Sequence, residues 1–544
     1  MSNIDRCQQP ILLGQRYGDG GHTAAIQRPT FDHQYDTLKP MTLPRASGIL
    51  LHPTSLPGPH GSGDLGSAAY HFVDWLVTAG QSLWQILPLG GIGPGNSPYM
   101  SSSAFAGNVL LIDLNELHQR GWLQTEDLVP SPDFHEQQIR FAAVYPWRIA
   151  RLQKAANTFL TGANHSDLAD FETFCTTHAS WLQDYALFMS LAESLGWKDW
   201  CQWDPGLAKR EPQALKQATS IYANAIHFWK FCQWCFFRQW QRLRAYANER
   251  GVRIVGDIPI FIAYMSAEAW SRQELFELDD TGRAYVVAGV PPDFFSAEGQ
   301  RWGNPLYCWS AHAAEGYAWW IERVRRIFDL VDIVRIDHFR GFAGYWEIPA
   351  EEQTAVQGRW LPGPGPALFH AIRNALGDLP IIAEDLGVIT PDVTALRDEF
   401  GLPGMRILQF AFGEGKYEDS MNPFLPHNYS TNTVAYTGTH DNDTTVGWWA
   451  DLSPAMRQHA KDYLGLDGSA IHWALIRAVS ASVADTAIFP MQDVLGLETT
   501  HRMNLPGQRS GYWEWRFAWS QVMPNHSERL CQFGTLYRRN GTLR

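Results

Sequence analysis

The chain has 544 residues, of which 45 % are hydrophobic and 18 % charged, with a formal net charge of −13 at pH 7. This is the composition of an ordinary soluble globular protein. A surface of that sign repels phosphate backbones and anionic lipid, which argues against nucleic-acid and membrane partners.

The N-terminal 45 residues are polar and rich in Gly, Gln and Asp, and read as an extension that is partly disordered or draped over the body. They lack the basic-then-apolar order of a signal peptide, and no apolar run in the chain approaches the ~18 residues of a membrane span. A cytoplasmic location is therefore expected. From residue 46 onward, short β-branched runs alternate with longer helical patterns, the signature of parallel strands joined by helices. In chain order the runs are GILL (48–51), LWQIL (83–87), VRIVG (252–256), DIVRI (332–336), PIIA (380–383), MRILQF (405–410), TVAY (433–436) and TAIF (486–489). Eight such strands predict an α/β fold, a (β/α)8 TIM barrel over 46–544, whose active site lies at the C-terminal ends of the strands.

The spacing is uneven. The gap between the second and third runs is too long for one crossover and helical in pattern, so 107–250 is expected to be an inserted, mostly α-helical subdomain. A second insertion, 262–312, is expected to cover the cleft. Seven cysteines are scattered, and the one close pair, Cys232 and Cys235, lies in the aromatic helical stretch HFWKFCQWCFFRQWQRLRAY. No second CxxC or spaced His pair accompanies it, so buried reduced thiols are expected rather than zinc. Gly61-Ser-Gly-Asp-Leu-Gly66 fits the dinucleotide fingerprint. Its preceding strand ends too early, though, and the next strand ends in Pro-Leu-Gly instead of the ribose-binding acid. A nucleotide site is not expected.

Four acids fall at predicted strand ends: Asp257 in VRIVGDIPIF, Asp337 in DIVRIDHFRGF, Glu384 in PIIAEDLG and Asp441 in YTGTHDND. Barrel closure brings all four to one rim, and clustering like charges costs energy that stability does not require. Cleavage of a glycosidic bond needs such a set: one carboxylate attacks or activates water, and another protonates the leaving oxygen. Arg335 stands two residues before Asp337, on the same strand face, where a guanidinium would keep Asp337 ionised. His338 and His440 adjoin two of the acids and could donate to sugar hydroxyls. Aromatics reach 13 %, with 24 Trp. Most fill cores, yet flat rings with polar edges also suit sugar rings.

The segments GDIPIF, VDIVRIDHFRG, IIAEDLG and YTGTHDND look like the four motif regions of the α-amylase clan. GNSPYMSSSAFAGN, VVAGVPPDFFSAEGQRWGNPLY, LPGMRILQFAF and GTHDNDTTVGWW extend the likeness. Across about 46–517 the chain resembles the 4-α-glucanotransferases (amylomaltase, or disproportionating enzyme) of glycoside hydrolase family 77. The resemblance implies that Asp337 is the nucleophile, Glu384 the general acid/base and Asp441 the third carboxylate. It also implies that Asp257 supports the site and that Arg335, His338 and His440 surround the reacting sugar. Tyr99 would contact that sugar with Ser97 nearby, and Asp293, Gln300 and Trp302 would belong to a loop over the cleft. The activity implied is transfer of α-1,4-glucan segments to the 4-hydroxyl of another glucan or glucose, with no metal or cofactor, by a monomer or weak homo-oligomer. Hydrolysis in the manner of α-amylase uses the same acids, and a silent glucan-binding protein remains the alternative of another class.

Overall fold

The β-branched runs become strands in the computed structural model, which describes residues 43–292, 296–412, 420–466, 470–508 and 510–541. In chain order the strands are β1 (Ala46–Leu50), β2 (Leu83–Gln85), β3 (Arg253–Pro259), β4 (Val286–Val290), β5 (Gln300–Pro305), β6 (Ile333–Asp337), β7 (Gly344–Pro349), β8 (Arg359–Pro362), β9 (Ile381–Ala383), β10 (Gly404–Ile407), β11 (Thr433–Tyr436) and β12 (Thr486–Pro490).

Eight of them pair in the order β10-β11-β12-β1-β2-β3-β6-β9, and every neighbouring pair is parallel. The Ala383 N–H donates to Pro403 O at 2.9 Å, which stitches the end of β9 to the approach of β10 and draws the sheet into a barrel. Parallel strands are buried on both faces, which is why they read as near-continuous apolar runs. Ala46, Ile49, Ile254, Val334, Ile382, Val434 and Ile488 are all fully buried. Close approach of β1 to β2 requires Gly48, because a Cβ there would lie 2.4 Å from Leu83 Cβ. The run 405–410 is longer than its strand: β10 stops at Ile407, and Leu408–Phe412 winds into a 3-10 turn. The end of an apolar run therefore does not mark the end of a strand.

Between β2 and β3 lie the long helices Phe141–Gly162, His165–Thr177, Ala179–Ser194 and Ala223–Glu249. Their aromatic faces interlock: Trp122, Phe159, Phe171, Phe231 and Trp234 pack with ring centroids 5.1–6.0 Å apart. Fully burying each such ring contributes about 1.5–3 kcal/mol. Cys232 and Cys235 sit inside this packing, and burial pushes the Cys235 thiol up to about 12 and the Cys232 thiol well above its usual range. The helix Ala223–Glu249 and a residue that follows β3 also hold the chain after β2. Gln233 clamps Gly107, accepting from its N–H at 2.7 Å and donating to its carbonyl at 2.9 Å. The ring of Phe236 comes so close that a Cβ on Gly107 would lie 2.1 Å from it. Buried Glu268 accepts from Ser103 Oγ at 2.6 Å and from the Ala104 N–H at 2.9 Å. The segment that carries Tyr99 is thus fixed downstream from two sides.

A second sheet was not legible in the sequence. β4 and β5, from the 262–312 insertion, are completed by β7 and β8 into an antiparallel sheet of order β5-β4-β7-β8. The added unit therefore draws on the loops after both β3 and β6. The N-terminal extension lies outside the described residues as far as residue 42. Among the described residues no helix is long and apolar enough to cross a membrane.

Candidate active site

Parallel pairing of β3 with β6 sets Asp257 opposite Arg335 and Pro259 opposite Asp337. Strand alternation sends the side chains of Arg335 and Asp337 to the same face, inward. Arg335 Nη1 donates to both oxygens of Asp257, at 2.8 and 2.7 Å, and Nη2 donates to Asp337 Oδ1 at 2.9 Å. Tyr99 Oη donates to Asp257 Oδ2 at 2.8 Å and lies 2.9 Å from His440 Nε2. Asp257 is 1 % exposed, and its carboxylate accepts from Arg335 and Tyr99. It is built to hold its neighbours rather than to react. Asp337 keeps 28 % of its side chain accessible, at the floor of the cleft.

Glu384 follows β9 directly. Its Oε2 accepts from the His338 N–H at 2.7 Å and its Oε1 from the Leu386 N–H at 2.8 Å. Its own N–H donates to Ile336 O at 3.1 Å, and its carbonyl accepts from the Phe339 N–H at 3.2 Å. His338 makes this possible by turning left-handed, at φ 54° and ψ 47°, immediately after Asp337. That geometry costs a non-glycine residue on the order of 1 kcal/mol or more, and such strain concentrates at functional sites. The end of β6 with Asp337 and the loop after β9 with Glu384 are thereby sewn together by backbone.

Burial raises both carboxyls. Asp337 moves up to about 6, with Arg335 opposing the shift while Asp257 and Asp441 add to it. Glu384 moves up to about 7; Arg335 and the two backbone donors oppose burial there, and the charge of Asp337 reinforces it. Arg335 therefore pulls Asp337 down without returning it to the ordinary carboxylate range, and a value of about 6 still leaves the group mostly ionised at pH 7. The guanidinium is shared with Asp257, so loss of solvation outweighs it. Burial also holds His338 down at about 3, so its imidazole is neutral. Its ring meets Trp302 edge-on at 4.8 Å, and Trp302 Nε1 donates to Gln300 Oε1 at 3.2 Å.

Asp441 lies in the loop after β11. Asn504 Nδ2 donates to its Oδ1 at 2.6 Å, and Arg502 Nη2 donates to its carbonyl at 2.9 Å. The Asn504 N–H reaches His440 O at 3.0 Å. A further buried acid, Asp493, braces the same loop by accepting from Thr437 Oγ1 at 2.5 Å and the Thr445 N–H at 2.7 Å. Trp513 packs against both Tyr99 and His440, with centroids 5.7 and 5.8 Å away, and its φ of 68° is unusual for so bulky a residue. Sequence reasoning missed Arg502, Asn504, Asp493 and Trp513. Of these only Asp493, just past β12, carried a signal, being a fifth acid near a strand end. Ser97 is nearby, but its Oγ accepts from the Tyr99 N–H and caps that turn. Asp293 lies outside the described residues. The other expected positions converge on this rim: Tyr99, Asp257, Gln300, Trp302, Arg335, Asp337, His338, Glu384, His440 and Asp441.

The comparisons agree with one another. The family model described as 4-alpha-glucanotransferase matches residues 51–521. The 4-alpha-glucanotransferases of Thermus thermophilus and of Synechocystis are each 50 % identical to the chain; the first match covers 90 % of this chain and the second 91 %, and each covers 98 % of the relative. Among solved structures, amylomaltase from Streptococcus agalactiae in complex with acarbose superimposes with a TM-score of 0.88 at 39 % identity, over 91 % of this chain and 99 % of that one. Amylomaltase from Corynebacterium glutamicum, 18 % identical, shares the fold with a TM-score of 0.72 over 90 % of this chain and 75 % of that one. With half of its residues shared along nearly the whole of such relatives, this chain belongs to the 4-alpha-glucanotransferase family, glycoside hydrolase 77.

Proposed function

We propose that the chain transfers α-1,4-glucan segments by double displacement, with Asp337 as nucleophile and Glu384 as acid and then base. The observation that carries the reading is the pair itself: two carboxyls locked by shared backbone, one beside a guanidinium at about 6 and the other at about 7. In the first step Glu384 gives its proton to the glucosidic oxygen while Asp337 attacks the anomeric carbon, leaving a β-linked glucosyl ester. In the second, the Glu384 carboxylate takes the proton of an acceptor 4-hydroxyl, whose oxygen displaces Asp337 and restores the α configuration. Asp441, with 41 % of its side chain accessible and one oxygen held by Asn504, faces sugar hydroxyls and favours the oxocarbenium-like state. Tyr99, His440 and His338 surround the reacting ring, and Gln300 and Trp302 cover the cleft beside His338. Transfer prevails over hydrolysis when binding energy positions a hydroxyl ahead of bulk water. The acarbose complex of the Streptococcus agalactiae relative supports a glucan-like ligand in this cleft.

Incubation with maltotriose tests this directly. The expected products are glucose and a ladder of longer oligosaccharides on a thin-layer plate. Only shorter sugars would make the chain a hydrolase, and unchanged maltotriose would make it a binding protein.

The pH profile follows from the same pair. Asp337 must be ionised to attack, so kcat/KM rises through about pH 6; Glu384 must be protonated to donate, so it falls through about pH 7. With α-glucosyl fluoride, whose leaving group needs no proton, Glu384→Gln keeps the acid limb of glucosylation and loses the alkaline one. Persistence of the alkaline limb in that variant would assign it to another group.

A further inference from the structure

We propose that Trp360, with the exposed valines Val356 and Val388, forms an accessory stacking platform that holds an α-1,4-glucan chain outside the catalytic cleft. The proposal rests on the glucanotransferase reading above and adds a second place where the substrate is held.

Large aromatics in this chain are mostly buried, yet Trp360 is 42 % exposed on β8, the outer edge strand of the second sheet. Its ring is not loose. The guanidinium of Arg340 lies against it, 3.9 Å from the centroid, and Trp346, its cross-strand partner, meets it edge-on at 5.3 Å. Each of these supports is itself tied down. Arg340 is buried and its Nη1 donates to Val388 O at 2.6 Å; Trp346 Nε1 donates to Ala355 O at 3.0 Å. Beside those two carbonyls stand the side chains of Val388, 58 % exposed, and Val356, 47 % exposed. The result is an exposed aromatic ring held from behind by a cation and from the side by a second indole, with exposed aliphatic residues on the segments that anchor those supports.

Short stretches of chain tie the patch to the catalytic residues. Arg340 follows Asp337 by three residues and Val388 follows Glu384 by four, and four residues of chain span at most ~14 Å. The Arg340–Val388 hydrogen bond joins the two catalytic loops at the foot of the platform. A ligand with flat apolar faces and hydroxyl edges fits such a ring, and a chain of them can occupy cleft and platform together. Holding a long glucan at a second point raises its effective concentration at the cleft without altering the chemistry there.

In the full-length enzyme, Trp360→Ala should raise KM for amylose about fivefold, the effect of losing one exposed aromatic contact. Its kcat, and all its kinetics on maltotriose, should stay as in the wild type. Trp360→Phe, which keeps a ring, should restore most of the amylose affinity. In the unmodified protein, amylose should shield Trp360 from hydroxyl-radical oxidation, read by mass spectrometry, while maltotriose should not. An unchanged KM for amylose, an equal rise in KM for maltotriose, or oxidation of Trp360 that amylose leaves untouched would each overturn the platform. A wild-type enzyme that leaves maltotriose unchanged would instead overturn the transferase reading.

Discussion

Asp337→Asn should lower kcat by about 10⁵-fold, the scale on which loss of a covalent nucleophile is felt, with the fold intact. The variant tests the mechanism cleanly because the residue works against stability at working pH. Burial raises its folded-state value to about 6, so the folded chain holds that proton more tightly than the unfolded chain does. The group therefore favours folding below its unfolded value near 4, and that contribution is lost as pH rises through about 6. An amide carries no such dependence. At pH 8 Asp337→Asn should melt no lower than the wild type while turning over nothing, and its melting temperature should fall less between pH 5 and pH 7. Residual turnover within a hundredfold of wild type, or a trapped glucosyl adduct on a peptide lacking residue 337, would refute the assignment.

Arg335→Met should destabilise the chain by about 3–5 kcal/mol, the cost of leaving a buried charge without its partner. Arg335 is 3 % exposed and is bound by both oxygens of Asp257 and one of Asp337, while Asp257 itself is 1 % exposed. Removing the guanidinium leaves Asp257 with Tyr99 alone. Urea unfolding should show a lower midpoint at an unchanged slope. Arg335→Met combined with Asp257→Asn should recover much of the stability, because the stranded charge is gone, but not the activity, because Asp337 still lacks its guanidinium. A single variant that unfolds at the wild-type midpoint would show that this ion network is not buried as described.

The same network marks how far the sequence could be read. That Arg335 and Asp337 share a face follows from their spacing of two, and the guanidinium does touch the carboxylate. That it serves Asp257 more fully than Asp337 depends on strand register, which pairs Asp257 with Arg335 across β3 and β6. The acidity of Asp337 thus turned on burial, a property of the assembled barrel. His338 is a similar case. It is visible as a neighbour of an acid, but its left-handed turn, and the N–H it delivers to Glu384, exist only once the β6 and β9 loops meet.

The barrel was legible because parallel strands buried on both faces must be continuously apolar, and eight such runs separated by helical stretches permit few other closures. The acids Asp257, Asp337, Glu384 and Asp441 were legible because each abuts or closely follows a run, although β3 continues past its apolar run to Pro259 and so takes Asp257 inside the strand. Neither condition holds for Arg502, Asn504 and Trp513, which sit in irregular chain after β12 and reach Asp441, His440 and Tyr99 through space. Nor does it hold for the second sheet, whose strands come from two separate loops. Short-range pattern, which the sequence carries by itself, determined the strands and the acids at their ends. Long-range pairing, burial and the strained turn at His338 decided how those acids are held and how strongly each keeps its proton, because these depend on contacts between residues far apart in the chain.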